Sequence, residues 1–305
     1  MRAVAFSEFG ADPVLTEVPT PEPQPDEVLV RVQASSVNGF DLGVLGGYLQ
    51  GVYEYEFPVV LGKDFAGVVT EVGAEVTSLA VGDRVFGVVM RPTLGLGGFA
   101  EYVVASPKYG LARMPEQLDH ARAGALGLAG TAALNAVDAI APKEGEIVLV
   151  SGATGGVGAY AIQLAAARGA LVIATAQPGP PAAFVTGLGA TWAVDPADLA
   201  AQVSGIAPKG VQAALHLAGD GPTIAGLIAP GGRLASTVHF TPDGLDLETT
   251  IVMADPSPET LDRLAADVTE RRLHVPLAHT YAFAQTGQAI VDFTRGTVGK
   301  LAVTI

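Results

Sequence analysis

The sequence predicts an α/β fold in which a doubly wound parallel sheet follows a region of short strands. Three observations carry this. Ile147-Val148-Leu149-Val150 is a continuous apolar run, as in a parallel strand buried on both faces. The glycine-rich Ser151–Gly158 ends it abruptly, and Val157, Ala161, Leu164 and Ala165 then recur at helical spacing. After this strand, turn and helix, strand-like and helix-like segments alternate to about Val252, whereas Met1 to about Ala105 reads as short strands with little helix.

In chain order, strands are expected over Arg2–Phe6, Val14–Val18, Val28–Ala34, Phe65–Val72, Arg84–Val89 and Phe99–Val104. The run Pro19-Thr20-Pro21-Glu22-Pro23-Gln24-Pro25 reads as an extended surface connector. Leu126, Ala129, Ala133, Ala136, Val137 and Ile140 place a helix over Arg122–Ala141, which Pro142 stops. The alternation continues through Ala170–Ala176, Ala182–Leu188, Ala190–Val194, Ala197–Val203, Val211–Leu217, Pro222–Ala229 and Gly232–Val238. Asp246–Val252 supplies a sixth strand. An amphipathic helix over Pro258–Leu273, a last helix near Ala284–Phe293 and a closing strand Leu301–Ile305 complete the reading.

A chain of 305 residues, 49% of them apolar, has material for about two domains. Its formal charge of −14 repels phosphate backbones, which argues against nucleic acid or an anionic membrane as partner. Cysteine is absent, so disulfides, thiolate catalysis and Cys-containing zinc sites are excluded, and a reducing cytoplasm fits. Glu8 and Asp12 arrive before a long apolar core can develop, so no signal peptide is expected. The uncharged stretches Ile147–Ala167 and Gly169–Val194 are broken by glycines and by Pro178, Pro180 and Pro181, which points to buried core rather than a membrane span.

Gly152, Gly155 and Gly158 form a Gly-x-x-Gly-x-x-Gly turn between strand and helix, where the backbone can approach a pyrophosphate closely. The N–H groups of Gly155, Gly156 and Val157 are the expected donors. The next strand ends Thr175-Ala176-Gln177-Pro178 with no Asp or Glu to bind ribose hydroxyls, which favours NADPH. No Lys or Arg pairs with a 2′-phosphate either, so Thr175 and Gln177 would hold it by uncharged hydrogen bonds and NADH is not excluded.

Gly62-Lys63-Asp64-Phe65-Ala66-Gly67, Val81-Gly82-Asp83-Arg84-Val85-Phe86-Gly87, Ser36-Val37-Asn38 with Asp41, Gly47-Tyr48 and Gly97-Gly98-Phe99-Ala100-Glu101-Tyr102 carry a family resemblance. Gly130-Thr131-Ala132-Ala133, Pro230-Gly231-Gly232-Arg233 and Gly299-Lys300-Leu301 extend it over essentially the whole chain. The pattern resembles the zinc-independent NADPH:quinone oxidoreductases of the medium-chain dehydrogenase/reductase superfamily. The resemblance implies a GroES-like β-barrel catalytic domain from residues 1–121 and 258–305, a Rossmann domain from 122–257, and an active site in the cleft. It also implies a homodimer, for which Asp246–Met253 offers an apolar edge strand. Superfamily zinc enzymes place a cysteine in the Asn38 region and a histidine near Lys63; neither is present, and no metal site is expected.

By the same resemblance Asn38 and Tyr48 line the cleft floor against the cofactor, the amide holding a ribose or carboxamide and the phenol able to donate a proton. For Tyr48 a loop aromatic packed on the barrel is an equal alternative. Asp41 reads more readily as a cap of the short helix after Asn38 than as chemistry. Thr131 resembles a threonine that reaches the nicotinamide end. Val238, His239 and Phe240 follow the fifth strand of the Rossmann sheet and are expected to flank the nicotinamide, although a lone His at a strand end is commonly structural. Lys63 and Lys300 read locally as solvated or interdomain charges, and the resemblance puts Lys300 near the cofactor.

The expected activity is NADPH-dependent hydride transfer to a quinone or similar small conjugated carbonyl. The alternatives are an enoyl thioester or enone reductase, with Tyr48 protonating carbon, and a non-catalytic nucleotide-binding protein. A CoA substrate would prefer basic residues at the cleft mouth, and cations are few here.

Overall fold

The structure is a computed structural model describing residues 1–305. The chain divides into two compact units, one formed by residues 1–128, 256–270 and 277–305, the other by 129–255 and 271–276.

In the second unit six strands pair in the order Trp192–Val194, Leu171–Thr175, Ile147–Ser151, Val211–His216, Ile228–Ser236 and Leu247–Ile251. Every pairing is parallel. The first strand in sequence lies inside the sheet and the chain winds outward from it in both directions, which is the doubly wound arrangement. Val148, Leu149 and Val150 are fully buried, as a strand covered on both faces requires. Leu149, Ile173, Ala214, Leu234 and the helix residues Val203 and Ile224 share one apolar core. The helix Gly156–Ala166 buries nearly its whole length, with Tyr160 and Ile162 inaccessible to solvent.

In the first unit, the strands Leu111–Arg113, Arg84–Val88, Asp64–Val72, Val28–Ser36, Lys300–Thr304 and Leu277–Ala282 follow one another in a seven-stranded sheet, with Tyr102–Ala105 also paired to Val28–Ser36. Val14–Glu17, Arg2–Phe6 and Val59–Val60 form a three-stranded sheet. Val30, Val32, Phe65, Val69 and Val85 make one core, and Phe6, Leu61, Phe99 and Val303 belong to another.

Beyond the short strands Val59–Val60 and Leu111–Arg113, which were not expected, one helix and one longer strand differ from expectation. The helix anticipated over Arg122–Ala141 is two, His120–Ala123 and Gly127–Ile140. Between them Gly124 lies so close to the strand Val28–Ser36 that a Cβ would stand 2.8 Å from the Ala34 carbonyl oxygen, so backbone packing rather than helical periodicity decides the break. The strand Leu277–Ala282 was not expected at all; of its residues only Tyr281 is buried, so it carries no period-2 pattern. Just before it, His274 returns the chain to the second unit by exchanging two hydrogen bonds with the Gln163 side chain, at 2.8 and 3.1 Å. No helix is long and apolar enough to cross a membrane.

Candidate functional site

The glycine turn is assembled by the strand that ends at Ser151. Gly152 has φ +64°, a left-handed conformation that turns the chain immediately after the strand. Gly158 brings the helix down onto the turn: a Cβ there would lie 2.4 Å from the Gly152 carbonyl oxygen and 2.6 Å from the Ala153 Cα. Gly155 is different. A Cβ on it would meet only the Gly152 oxygen, at an ordinary 3.4 Å, so internal packing does not demand a glycine there. As the N-cap of Gly156–Ala166, Gly155 offers no side-chain acceptor, and the first helical turn contains no acid. The leading N–H groups therefore combine with the positive end of the helix dipole and no protein side chain satisfies them.

Around this turn, Ser151 Oγ donates to Leu215 O and accepts from Leu217 N, each at 3.2 Å, tying two strand ends together. Thr175 Oγ1 accepts from Ala153 N at 3.5 Å, while Gln177 is exposed beyond its strand. In the same unit Thr131 is completely buried and its hydroxyl has no hydrogen-bond partner. An orphaned buried hydroxyl is costly, and a ligand group would satisfy it. An uncapped helix start, a glycine whose Cβ position is open and this orphaned hydroxyl fit a dinucleotide cofactor.

Val238, His239 and Phe240 follow the strand Ile228–Ser236. Val238 and His239 are exposed, His239 with φ +58°. Phe240 instead turns its ring edge-on to His216 at 5.3 Å. The loop is fixed by Ser236 Oγ, which accepts from Val238 N and Phe240 N and contacts His216 Nδ1. His216 and Ser236 were not singled out from sequence, and only their buried position at adjoining strand ends reveals them.

The first unit holds a buried charged cluster. Asp64, wholly inaccessible, accepts from Asn38 Nδ2 at 2.8 Å, from Leu128 N at 2.6 Å and from the Ser36 hydroxyl. Lys300 Nζ lies 2.6 Å from Asn38 Oδ1, 3.2 Å from Val37 O and 3.6 Å from Asp64 Oδ2. Sequence reasoning thus named two members that the structure brings together, Asn38 and Lys300, but missed Asp64, which joins them. Burial pulls the Lys300 ammonium below its ordinary range, against the opposing pull of Asp64 and Asp41. Both ends of the Asn38 amide are engaged inside this cluster.

Asp41, three residues into the short helix Gly39–Leu45, caps it by accepting from Asn38 N at 2.8 Å, and takes Gly62 N at 3.1 Å. Burial pushes its carboxyl up to about 7, the two N–H donors and Lys300 pulling the other way. Lys63 is not a solvated charge. It donates to Val89 O at 2.7 Å and lies 4.8 Å from the Phe40 ring centroid, and burial lowers it to about 8. Tyr48, by contrast, is 83% exposed on the turn that follows the short helix. No group of three or more His, Cys, Asp or Glu side chains converges to hold a metal ion.

Two family models match the chain, the alcohol dehydrogenase GroES-like domain over residues 24–116 and the zinc-binding dehydrogenase domain over 156–261. A solved alcohol dehydrogenase superfamily protein from Novosphingobium aromaticivorans is 30% identical with TM-score 0.87, covering 100% of this chain and 99% of that one. The chain belongs to the medium-chain dehydrogenase/reductase superfamily. Within this superfamily it is similar to the quinone oxidoreductase from Coxiella burnetii, 28% identical with TM-score 0.88 over 100% of this chain and 99% of that one. It is also similar to the quinone oxidoreductase of Sus scrofa, 38% identical over 180 residues, which make up 58% of this chain and 53% of that protein. The match spans about half the length of that curated relative. The GroES-like and Rossmann-like parts of a medium-chain dehydrogenase/reductase account for the two kinds of sheet seen here.

Proposed function

We propose that this medium-chain dehydrogenase/reductase is an NADPH-dependent reductase that passes hydride to a quinone or similar small conjugated carbonyl without zinc. The observation that carries the reading is the start of the helix Gly156–Ala166, where uncapped N–H groups face an open glycine. The names of the Coxiella burnetii and Sus scrofa relatives support the acceptor class.

In this reading the N–H groups of Gly156 and Val157 hold the pyrophosphate beside Gly155, whose own N–H donates to Gly152 O at 3.2 Å. Thr175 and Gln177 serve the adenosine end, where the absence of an acid supports NADPH over NADH. Thr131 offers its unpartnered hydroxyl to the cofactor, and Val238 and His239 are exposed at the end of the fifth strand for the nicotinamide end. When bound, the cofactor supplies the hydride, and the chain supplies orientation and exclusion of water. Asn38 and Lys300 act as a rigid frame, because their polar atoms are held by Asp64 and Val37. Zinc independence is supported by the donor set: cysteine is absent, Asn38 and Lys63 stand where the superfamily's zinc enzymes have ligands, and no metal-binding group converges. The exposed strand edge at Leu247–Ile251 supports a homodimer.

Anaerobic oxidation of NADPH and of NADH, each against a quinone panel and an enoyl-CoA panel, tests the reading. Turnover with quinones and preference for NADPH are expected. Turnover confined to enoyl thioesters would replace it with the enone alternative, and cofactor binding with neither panel consumed would leave a nucleotide-binding protein.

A further inference from the structure

The last residues of three neighbouring strands form a polar row at the carboxyl-terminal edge of the parallel sheet. Ser151 stands in register with His216, and His216 with Ser236, and all three are buried. Each secures the chain that leaves the sheet. Ser151 Oγ accepts from Leu217 N at 3.2 Å, and His216 Nε2 lies 3.2 Å from Gly219 O. Ser236 Oγ accepts from Val238 N at 3.3 Å and Phe240 N at 3.2 Å, and lies 3.3 Å from His216 Nδ1. These contacts decide the tautomer. A carbonyl oxygen only accepts, so His216 Nε2 carries the ring proton. Backbone N–H groups occupy both acceptor positions of Ser236 Oγ, so its own hydrogen goes to a bare His216 Nδ1.

The loops held in this way border the glycine turn. A Cβ on Gly152 would stand 3.0 Å from the Ala218 Cβ, and one on Gly221 would stand 2.5 Å from the Phe240 ring, so the chain after His216 packs against both the turn and the chain after Ser236. Leu171–Thr175 flanks Ile147–Ser151 on one side, with Thr175 and Gln177 at its end, and Val211–His216 and Ile228–Ser236 lie on the other. A dinucleotide held at the turn with its adenosine towards Thr175 has its nicotinamide half on the side of His216 and Ser236. We propose that His216 and Ser236 are positioning residues for that half, their hydrogen-bonded pair fixing the loop that carries Val238 and His239. The inference rests on the reading of the chain as an NADPH-dependent reductase and deepens it by naming the groups behind that loop.

Calorimetric titration with NADPH and with 2′-phospho-ADP-ribose, which keeps the adenosine end and the pyrophosphate but lacks nicotinamide, tests this. Ser236→Ala takes the shared partner from His216 Nδ1, Val238 N and Phe240 N. It should weaken NADPH binding about 3- to 10-fold, the worth of a hydrogen bond, and leave the analogue's affinity unchanged. Ser236→Thr keeps the hydroxyl and should bind NADPH as the parent does. In nitrogen NMR of the parent, the His216 signals, identified by their loss in His216→Phe, should be those of a protonated Nε2 and a bare Nδ1. A proton on Nδ1 would overturn the pairing. Unchanged NADPH affinity in a folded Ser236→Ala protein, or equal weakening of both ligands, would overturn the assignment while leaving cofactor binding by the parent intact. A parent that does not bind NADPH would remove the cofactor reading and this inference with it. Should Ser236→Ala fail to fold, His216→Phe decides by the same comparison: selective loss of NADPH supports the assignment, and unchanged or equally weakened binding overturns it.

Discussion

At the start of the helix Gly156–Ala166 the backbone donors meet no side-chain acceptor, whereas around Asp64 the donors of Ser36, Asn38, Leu128 and Lys300 converge on one carboxylate. The first region leaves polar groups unsatisfied at an accessible helix end, and the second spends them on one another in the interior. Polarity left open is a binding surface; polarity closed on itself is a frame. Asp41 and Lys63 lie between these extremes, Asp41 buried and Lys63 half-buried, the Asp41 charge acting on the lysine without a close ion pair.

The largest effect expected from breaking either region comes from Gly158→Val. Its side chain would be driven into the Gly152 carbonyl and the Ala153 backbone, so the turn cannot keep its shape and the parallel-sheet unit should lose cooperative unfolding in calorimetry. Gly155→Val meets no such obstacle inside the protein. It should keep a near-parental melting temperature while losing NADPH binding by titration, and intact binding would show that the open side of the turn is not the cradle.

In the cluster, Asp64→Ala should cost about 3–5 kcal/mol, because it leaves Lys300 buried without its counter-charge. Thermal melting should fall by roughly ten degrees, and adding Lys300→Met should recover part of the loss. A drop below about two degrees would mean that the cluster is no frame.

A smaller effect separates Asp41 from its satisfied neighbours. Its folded value of about 7 lies above the ordinary 3.8, so the folded state binds the extra proton between those limits. Stability from this group is complete below about 4 and is lost as pH rises towards 7. Relative to Asp41→Asn, the parent should therefore melt a few degrees lower at about pH 8 than at about pH 5. A pH-independent gap between the two proteins would show that the ionised carboxylate is accommodated without cost.

The smallest effect is expected at Tyr48, whose exposed phenol belongs to neither region. Quinone oxygens take protons from water, so Tyr48→Phe should change turnover by less than about threefold at unchanged NADPH affinity. A loss beyond roughly a hundredfold would instead identify a general acid and favour the enone reading.

The parallel sheet was legible because its inner strands, such as Ile147–Ser151 and Leu171–Thr175, are short apolar runs bounded by turn residues, and its six strands fall close to where the alternation puts them. The glycine turn was legible for the same reason: Gly152, Gly155 and Gly158 sit between a readable strand and a readable helix. Leu277–Ala282 was not, since with one buried residue it holds its place by backbone pairing to Lys300–Thr304 rather than by side-chain pattern. The burial of Lys300 and the half-burial of Lys63 were equally hidden. A lysine beside glycines looks solvated until Asp64, Val37 or Val89 is brought to it by distant strands, and such pairings leave no local signal.

The pairing of Lys300–Thr304 with Val28–Ser36 has a consequence for how the molecule is made. Val37 and Lys300, joined across it, are 263 positions apart in sequence. The contiguous stretch 129–255 leaves the ribosome before the partner strand does, so it can fold while the amino-terminal strands still wait with an open edge. Closure of so long a loop is slow, and until then the Ala34–Ser36 end of the strand, beyond the part that Tyr102–Ala105 covers, is left with an unpaired edge open to another nascent chain. The same strand order that completes the mature sheet therefore sets a window for aggregation during synthesis.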